Sequence, residues 1–170
     1  MTNKIGNKKE LKLEVRGDRE VVLTRYFDAT PARLFDCHTK PELMRRWLTP
    51  PEGWTCDSCE VDLKVGGRFL NVFLSPQKQK FGVCGTFKEI VKPERFVSSE
   101  FFLTDVDSYR ADSPDDPNAA LQTYTFVVHG EQTLMTLSLL YPSAEICKSA
   151  LETGMADEAC YEKLDELLAS

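Results

Sequence analysis

Short runs of hydrophobic residues, separated by polar turn-forming residues, fill the middle of the chain. The runs are rich in β-branched and aromatic residues, which favours β-strands over helices. Six strands are predicted, over residues 56–65, 68–74, 82–91, 96–103, 121–129 and 133–141. Because most of the connections are short, we expect the strands to form an antiparallel meander.

A further strand and two short helices precede this meander. Residues 21–27 have the composition of a strand, and residues 11–15 alternate between hydrophobic and polar side chains. Thr30-Pro31 is typical of a helix start, because threonine caps the first turn and proline lacks an N–H that would need an acceptor there. Pro41 begins a second short helix in the same way.

The last hydrophobic pattern has helical periodicity and runs from residue 144 to residue 169. Gly154 interrupts this pattern and is the place where a bend is expected. The acidic, proline-containing segment 105–120 is predicted to be a mobile surface loop between two strands.

These elements predict an α+β fold, in which a curved antiparallel sheet of about six to seven strands wraps around a long C-terminal helix. Many strand positions are apolar in both phases of the alternation, so the inward surface is larger than one helix can fill. An apolar cavity between sheet and helix is therefore expected. We assign residues 1–18 to a flexible N-terminal lead and residues 19–170 to a single domain.

Composition and charge narrow the function. The chain has 170 residues, of which 42% are hydrophobic and 28% charged, as in an ordinary globular domain. Its net charge of −6 disfavours nucleic acid and anionic membrane surfaces as partners. The polar N-terminus lacks a signal-peptide pattern and the apolar runs are too short to span a bilayer, so we expect a cytoplasmic location.

Four segments of the chain resemble the START-like, helix-grip (SRPBCC) proteins of the group related to the activator of Hsp90 ATPase. In chain order they are LTRYFDATPARLFDCHTKPELMRRWLTP (23–50), EVDLKVGGRF (60–69), GTFKEIVKPERFVSSEF (85–101) and TGMADEACYEKLDELLA (153–169). The resemblance implies a helix-grip fold over about residues 20–169. The superfamily includes lipid carriers, hormone receptors, cyclases and co-chaperone domains, so the fold by itself does not select a function.

The chain departs from this family pattern at two positions. Lys40 stands where relatives usually have an acidic helix cap, and Glu158 stands where a glycine is frequent. A glycine there lets a ligand or the sheet come close. A glutamate is expected either to narrow the cavity or to turn outward.

Polar and aromatic residues suggest where a ligand would bind. Asp157 lies among apolar residues on the helix face that should meet the sheet, where it would anchor a ligand with Thr153 and Arg68; the alternative is an exposed acid. Trp54 is a candidate lid, and Trp47 belongs either to the cavity wall or to the core. The other candidate ligand-binding residues are Phe69, Phe73, Phe87, Phe101 and Met135.

Cys56 and Cys59 form the one C-x-x-C pair among six cysteines. Residues three apart on a regular strand point to opposite faces, so we expect ordinary thiols here. A redox pair and a structural zinc site are the alternatives, although the two histidines lack metal-ligand spacing.

The sequence therefore predicts a binding module that holds a small apolar or amphipathic molecule, without a catalytic residue, cofactor or metal. The alternatives are an interaction domain whose partner is an Hsp90-type chaperone, and an enzyme of the cyclase or dehydratase kind with Asp157 as its acid or base. The protein is expected to be a monomer or a homodimer.

Overall fold

The computed structural model describes residues 6–48, 52–153 and 158–170. Over these residues eight strands form one antiparallel sheet. They are β1 (Lys12–Arg16), β2 (Glu20–Phe27), β3 (Thr55–Val61), β4 (Arg68–Leu74), β5 (Lys80–Val91), β6 (Arg95–Leu103), β7 (Ala120–His129) and β8 (Gln132–Leu140). The spatial order is β1-β2-β8-β7-β6-β5-β4-β3, so β8 joins the N-terminal hairpin to the predicted meander.

The sheet has one strand more than the six to seven expected, because residues 12–16 pair with β2 from Lys12 opposite Thr24 to Arg16 opposite Glu20. The alternation in residues 11–15 therefore does mark a strand. This strand lies within residues 1–18, which we assigned to a flexible lead from the sequence. Its five residues are all exposed, as befits a short edge strand.

In the described part of the chain four helices pack against the sheet: α1 (Pro31–Thr39), α2 (Pro41–Trp47), α3 (Ala144–Thr153) and α4 (Glu158–Ala169). The predicted cap of α1 is confirmed, since the Thr30 hydroxyl accepts a hydrogen bond from the Arg33 amide at 3.2 Å. The predicted C-terminal helix is present as α3 and α4. The bend expected at Gly154 lies outside the described residues.

The larger hydrophobic cluster joins α1, α2 and α4 to residues from strands across the whole sheet. Phe27 of β2, Phe69 of β4 and Phe126 of β7 all belong to it, so the sheet must curve for their side chains to meet. A second cluster lies between α3 and one end of β2 and β8, around Cys147.

Arg25 ties α4 to the inner face of the sheet. Its side chain is 1% exposed and forms a bidentate pair with Asp165, at 3.0 and 2.7 Å, and a hydrogen bond to Glu158 at 2.8 Å. Its guanidinium also lies 4.7 Å from the centre of the Phe27 ring. Glu158 in addition accepts from the backbone amide of Leu11 at 2.7 Å, so this ion-pair cluster also holds the residues before β1.

Candidate functional site

A pocket of about 620 Å³ lies between the inner face of the sheet and helices α1, α2 and α3. Aromatic residues make up about a third of its lining. The aromatic side chains at the wall are Trp47, Phe69, Phe73, Phe87, Phe96, Phe101, Phe102, Tyr124 and Tyr141. Helix α3 contributes Ile146, Ala150 and Thr153 on the opposite side. The wall is therefore mainly apolar, and its polar residues are few enough to be considered one by one.

Six of the candidate ligand-binding residues lie at this wall. They are Trp47, Phe69, Phe73, Phe87, Phe101 and Thr153. Trp47 serves the core as well, because its indole Nε1 donates to the Cys37 carbonyl at 2.8 Å and its ring stacks on Tyr161. Asp157 lies outside the described residues.

The remaining candidates lie elsewhere. Met135 is fully buried in the larger hydrophobic cluster, on a strand position opposite Arg25 and away from the pocket wall. Trp54 packs edge-on against Phe81, with ring centres 6.3 Å apart. Phe81 in turn stacks on Phe102, which is at the wall, so one ring separates Trp54 from the pocket wall.

Arg68 faces the loop between β6 and β7 and is not at the pocket wall, which differs from the anchor role suggested by the sequence. Its guanidinium donates to the Tyr109 hydroxyl at 2.7 Å and to the Ser113 carbonyl, and lies 3.9 Å from Asp115. Asp115 also accepts hydrogen bonds from Thr86 and Ser99, at 2.8 and 2.7 Å. The loop predicted to be mobile is therefore anchored to β4, β5 and β6.

The contacts that anchor the loop also change the pKa of Asp115. Burial opposes ionisation of Asp115, but the hydrogen bonds from Ser99 and Thr86 and the nearby Lys88 ammonium outweigh it and lower the pKa of this carboxyl. The anchored loop brings Asp116 and Asn118 to the rim of the pocket.

Glu100 is the residue at this site that sequence reasoning missed. It lies on β6 at the pocket wall and is partly exposed. Over the described residues its carboxyl group has no ion-pair or hydrogen-bond partner, and desolvation alone raises its pKa to about 7. A signal was present in the sequence, because Glu100 is the one charged residue between Phe96 and Thr104.

Two further polar atoms near the pocket also lack partners. The Nε2 atom of His38 and the Oδ1 atom of Asn71 are buried without a hydrogen bond in the described structure. His38 Nδ1 lies 2.7 Å from the Leu34 carbonyl oxygen and must donate to it, which leaves Nε2 as an acceptor in the neutral ring. Both residues belong to the pocket wall, so the wall has unused hydrogen-bonding capacity.

His38 is expected to stay neutral at physiological pH. Desolvation lowers its pKa to about 4, and the hydrogen bond to Leu34 offsets only part of this effect. We predict that nitrogen NMR of the ring shows a protonated Nδ1 and a bare Nε2 from about pH 8 down to about pH 5, below the ordinary histidine pKa. A ring that protonates near pH 6.5 would contradict the buried environment.

Glu158 resolves the alternatives left by the sequence. It turns away from the pocket wall to pair with Arg25 and to accept from the Leu11 amide. The departure from the family glycine thus adds an ion pair between α4 and the sheet.

An antiparallel sheet curved around helices, with the last helix at the C-terminus, is the helix-grip fold of START-like proteins. The family model described as "Activator of Hsp90 ATPase homolog 1-like protein" matches residues 28–169. The chain therefore belongs to this family, as the four sequence segments indicated.

Solved structures with the same fold come from several bacteria. A crystal structure of a Rhodobacter sphaeroides protein is 24% identical, with a TM-score of 0.81, and the match covers 94% of this chain and 98% of that one. Protein Ms6760 from Mycobacterium smegmatis is 22% identical, with a TM-score of 0.78 and coverage of 92% and 95%. Protein NE0264 from Nitrosomonas europaea is also 22% identical, with a TM-score of 0.77 and coverage of 92% and 97%. At these identities the likeness establishes the fold alone.

No curated protein matches the chain at a significant level. Within the described ranges, none of the helices combines the length and the apolar character that crossing a bilayer requires. The same residues contain no cluster of three or more His, Cys, Asp or Glu side chains arranged to hold a metal ion.

Proposed function

We propose that this protein binds a small apolar or amphipathic molecule in the pocket between the sheet and helices α1, α2 and α3. The pocket volume of about 620 Å³ is in the range of small-molecule sites in proteins. The aromatic wall supplies the apolar contact area, and its few polar groups orient the ligand.

The observation that carries this proposal is the unpartnered carboxyl group of Glu100. Glu100 is partly exposed, but the apolar surroundings still make its charged form costly unless a partner compensates it. The protein itself supplies no such partner among the described residues, so a ligand group is the natural one. Together with His38 Nε2 and Asn71 Oδ1, the wall offers mainly acceptors, which favours a ligand that carries a hydroxyl or amine donor.

Filling the pocket tests the proposal. A suitable probe is N-phenyl-1-naphthylamine, an apolar fluorescent molecule with one N–H donor. The variant Ala150→Trp places an indole at the pocket wall on α3 and is expected to weaken probe binding at least about tenfold, because the added ring takes the ligand's volume. The measurement is a fluorescence titration of wild type and variant.

The matched control is Ala144→Trp, which adds the same ring to an exposed position at the start of α3 that is not part of the wall. It is expected to bind the probe as wild type does. Equal affinities for Ala150→Trp and wild type, with both folded by circular dichroism, would refute the pocket as the binding site. Native mass spectrometry of the purified protein then identifies the molecule that it retains.

Catalysis of the cyclase or dehydratase kind is a second candidate, because a carboxyl with a pKa of about 7 suits general acid–base chemistry. A comparison of the molecules that co-purify with wild type and with Glu100→Gln distinguishes ligand binding from catalysis. A carrier retains the same molecule in both proteins, whereas an enzyme retains unconverted substrate in the variant.

Interaction with an Hsp90-type chaperone is the alternative raised by the family description. An assay of chaperone ATPase activity with and without this protein tests it directly. Stimulation that survives the Ala150→Trp substitution would assign the chaperone role to a surface other than the pocket.

A further inference from the structure

The two sulfurs of the C-x-x-C pair lie next to each other, contrary to the expectation from a regular strand. The Sγ atoms of Cys56 and Cys59 are 3.4 Å apart and share a hydrogen bond. The reason is a β-bulge between Cys56 and Ser58, where one extra residue is inserted into β3. The bulge shifts the alternation by one residue and turns both thiols to one face.

The pairing of β3 with β4 confirms this orientation. Cys56 lies opposite Phe73 and Cys59 lies opposite Asn71, and these two β4 residues are two apart. Residues two apart on a strand share a face, and residues opposite each other in a sheet do too. Both thiols therefore project from the same face of the sheet as Phe73 and Asn71, which line the pocket.

The two cysteines differ in access. Cys56 is partly exposed, whereas Cys59 is 4% exposed. The hydrogen bond with Cys59 lowers the pKa of Cys56 to about 7, and the positive charge of Arg45 on α2 adds to this effect. The same hydrogen bond and burial raise the pKa of Cys59. Cys56 thus has the features of an attacking thiolate, and Cys59 those of a resolving thiol.

We propose that Cys56 and Cys59 form a reversible dithiol–disulfide site that is oxidised by low-molecular-mass disulfides of the glutathione type. Neither cysteine is among the residues that line the pocket, so the proposal does not depend on which molecule the pocket binds. Its chemistry needs no metal or cofactor, because the small disulfide is the oxidant.

The reaction has two exchange steps. The Cys56 thiolate attacks one sulfur of the small disulfide, forms a mixed disulfide and releases one small thiolate, which takes up a proton. In the mixed disulfide, Cys56 is no longer the thiolate that accepts the hydrogen bond from Cys59, which removes the main cause of the raised pKa of Cys59. Cys59 then loses its proton, attacks the Cys56 sulfur and releases the second small thiol. Counting the proton that Cys56 releases when its thiolate forms, the protein loses two electrons and two protons, and the small disulfide gains them.

The geometry allows the bond to close with little movement. A disulfide requires an S–S distance of about 2.05 Å, so the two sulfurs must approach by a little more than 1 Å from their present 3.4 Å. We expect the partly exposed Cys56 side chain, rather than the buried Cys59, to make this movement.

The test is a redox titration of the whole chain. The protein is equilibrated in glutathione buffers of increasing oxidation, quenched with an alkylating agent, and mapped by mass spectrometry of its peptides. Wild type is expected to lose two hydrogen atoms in one step and to yield a peptide linked through Cys56 and Cys59. The Cys59→Ser variant is expected to accumulate a mixed disulfide with glutathione at Cys56, and Cys56→Ser to form neither product.

The control is Cys160→Ser, which replaces another partly exposed cysteine whose thiol donates to the Trp47 carbonyl. It is expected to form the Cys56–Cys59 disulfide at the same glutathione ratio as wild type. The proposal is overturned if no linked peptide forms in wild type under the most oxidising buffer, or if Cys59→Ser gives no mixed disulfide at Cys56.

The rate of Cys56 alkylation provides a second readout that does not depend on closure of the bond. In reduced wild type it should rise with a midpoint of about pH 7. The Cys59→Ala variant lacks the hydrogen-bond donor, so its midpoint should move toward that of an ordinary thiol and its rate at pH 7 should fall roughly tenfold. Identical profiles for wild type and Cys59→Ala would show that Cys59 does not activate Cys56.

Discussion

The Glu100→Gln variant of the ligand-free protein is expected to be more stable than wild type by about 3 kcal/mol at pH 8, and equal to it at pH 4. The reason is the desolvation of the Glu100 carboxylate in the aromatic pocket, which raises its pKa from 4.5 to about 7 in the folded state. Glutamine has the same shape and carries no charge, so it avoids this cost at every pH.

The direction of the effect follows from proton binding. Between pH 4.5 and about 7 the folded state holds a proton on Glu100 that the unfolded state has lost. Stability therefore falls as the pH rises through this interval, and stays low above it. A carboxylate held by a salt bridge has the opposite effect, because it makes the free energy of unfolding rise with pH.

His38 acts in the opposite direction over much of the same interval. Its pKa of about 4 in the folded state, against 6.5 in the unfolded state, makes stability fall as the pH drops through that range. The two contributions nearly cancel in wild type between about pH 4.5 and 6.5. The difference between wild type and Glu100→Gln isolates the Glu100 contribution, because both proteins contain His38.

Urea denaturation at several pH values gives this difference directly. Glu60→Gln is the control, because Glu60 is an exposed carboxylate on β3 and its replacement should leave stability unchanged within about 0.5 kcal/mol. A stability difference between wild type and Glu100→Gln that does not vary with pH would show that Glu100 is not desolvated in the folded protein.

Loss of the Arg25 side chain is expected to have an effect of similar size. Arg25→Met should lower the free energy of unfolding by about 3 kcal/mol, because removing one member of a buried ion-pair cluster leaves its partners uncompensated. Here the partners are Glu158 and Asp165, both partly exposed, and the loss also includes the contact with the Phe27 ring. Denaturant unfolding followed by circular dichroism measures this change in the free energy of unfolding.

Arg16→Met provides the comparison. Arg16 pairs with Glu14 at 3.2 Å, but both side chains are mostly exposed, so its loss should cost less than about 1 kcal/mol. A triple variant that also replaces Glu158 and Asp165 with leucine should recover part of the Arg25→Met loss. Similar losses for Arg25→Met and Arg16→Met would mean that the buried cluster contributes no more than a surface pair.

Local patterns in the sequence were sufficient to predict the helices and strands of this fold. Thr30 caps α1 through its neighbour Arg33, and the strands from residue 55 onward begin and end near the predicted turns. These features depend on residues a few positions apart, which a sequence presents directly. The aromatic side chains predicted for the interior followed from the same strand pattern, and most of them lie at the pocket wall.

Only the tertiary structure decided how the polar groups are arranged. Arg25 and Glu158 are 133 residues apart in the chain, and nothing in their local sequence indicates that they meet. The bulge before Ser58 turned an expected pair of unrelated thiols into adjacent ones, because one inserted residue reverses the faces of a strand. Glu100 was visible as an isolated charge, but its lack of a partner depends on every element around the pocket. The sequence by itself therefore determined the elements and their order, and the folded structure determined which charges and thiols are brought together, because those contacts join residues that are distant in the chain.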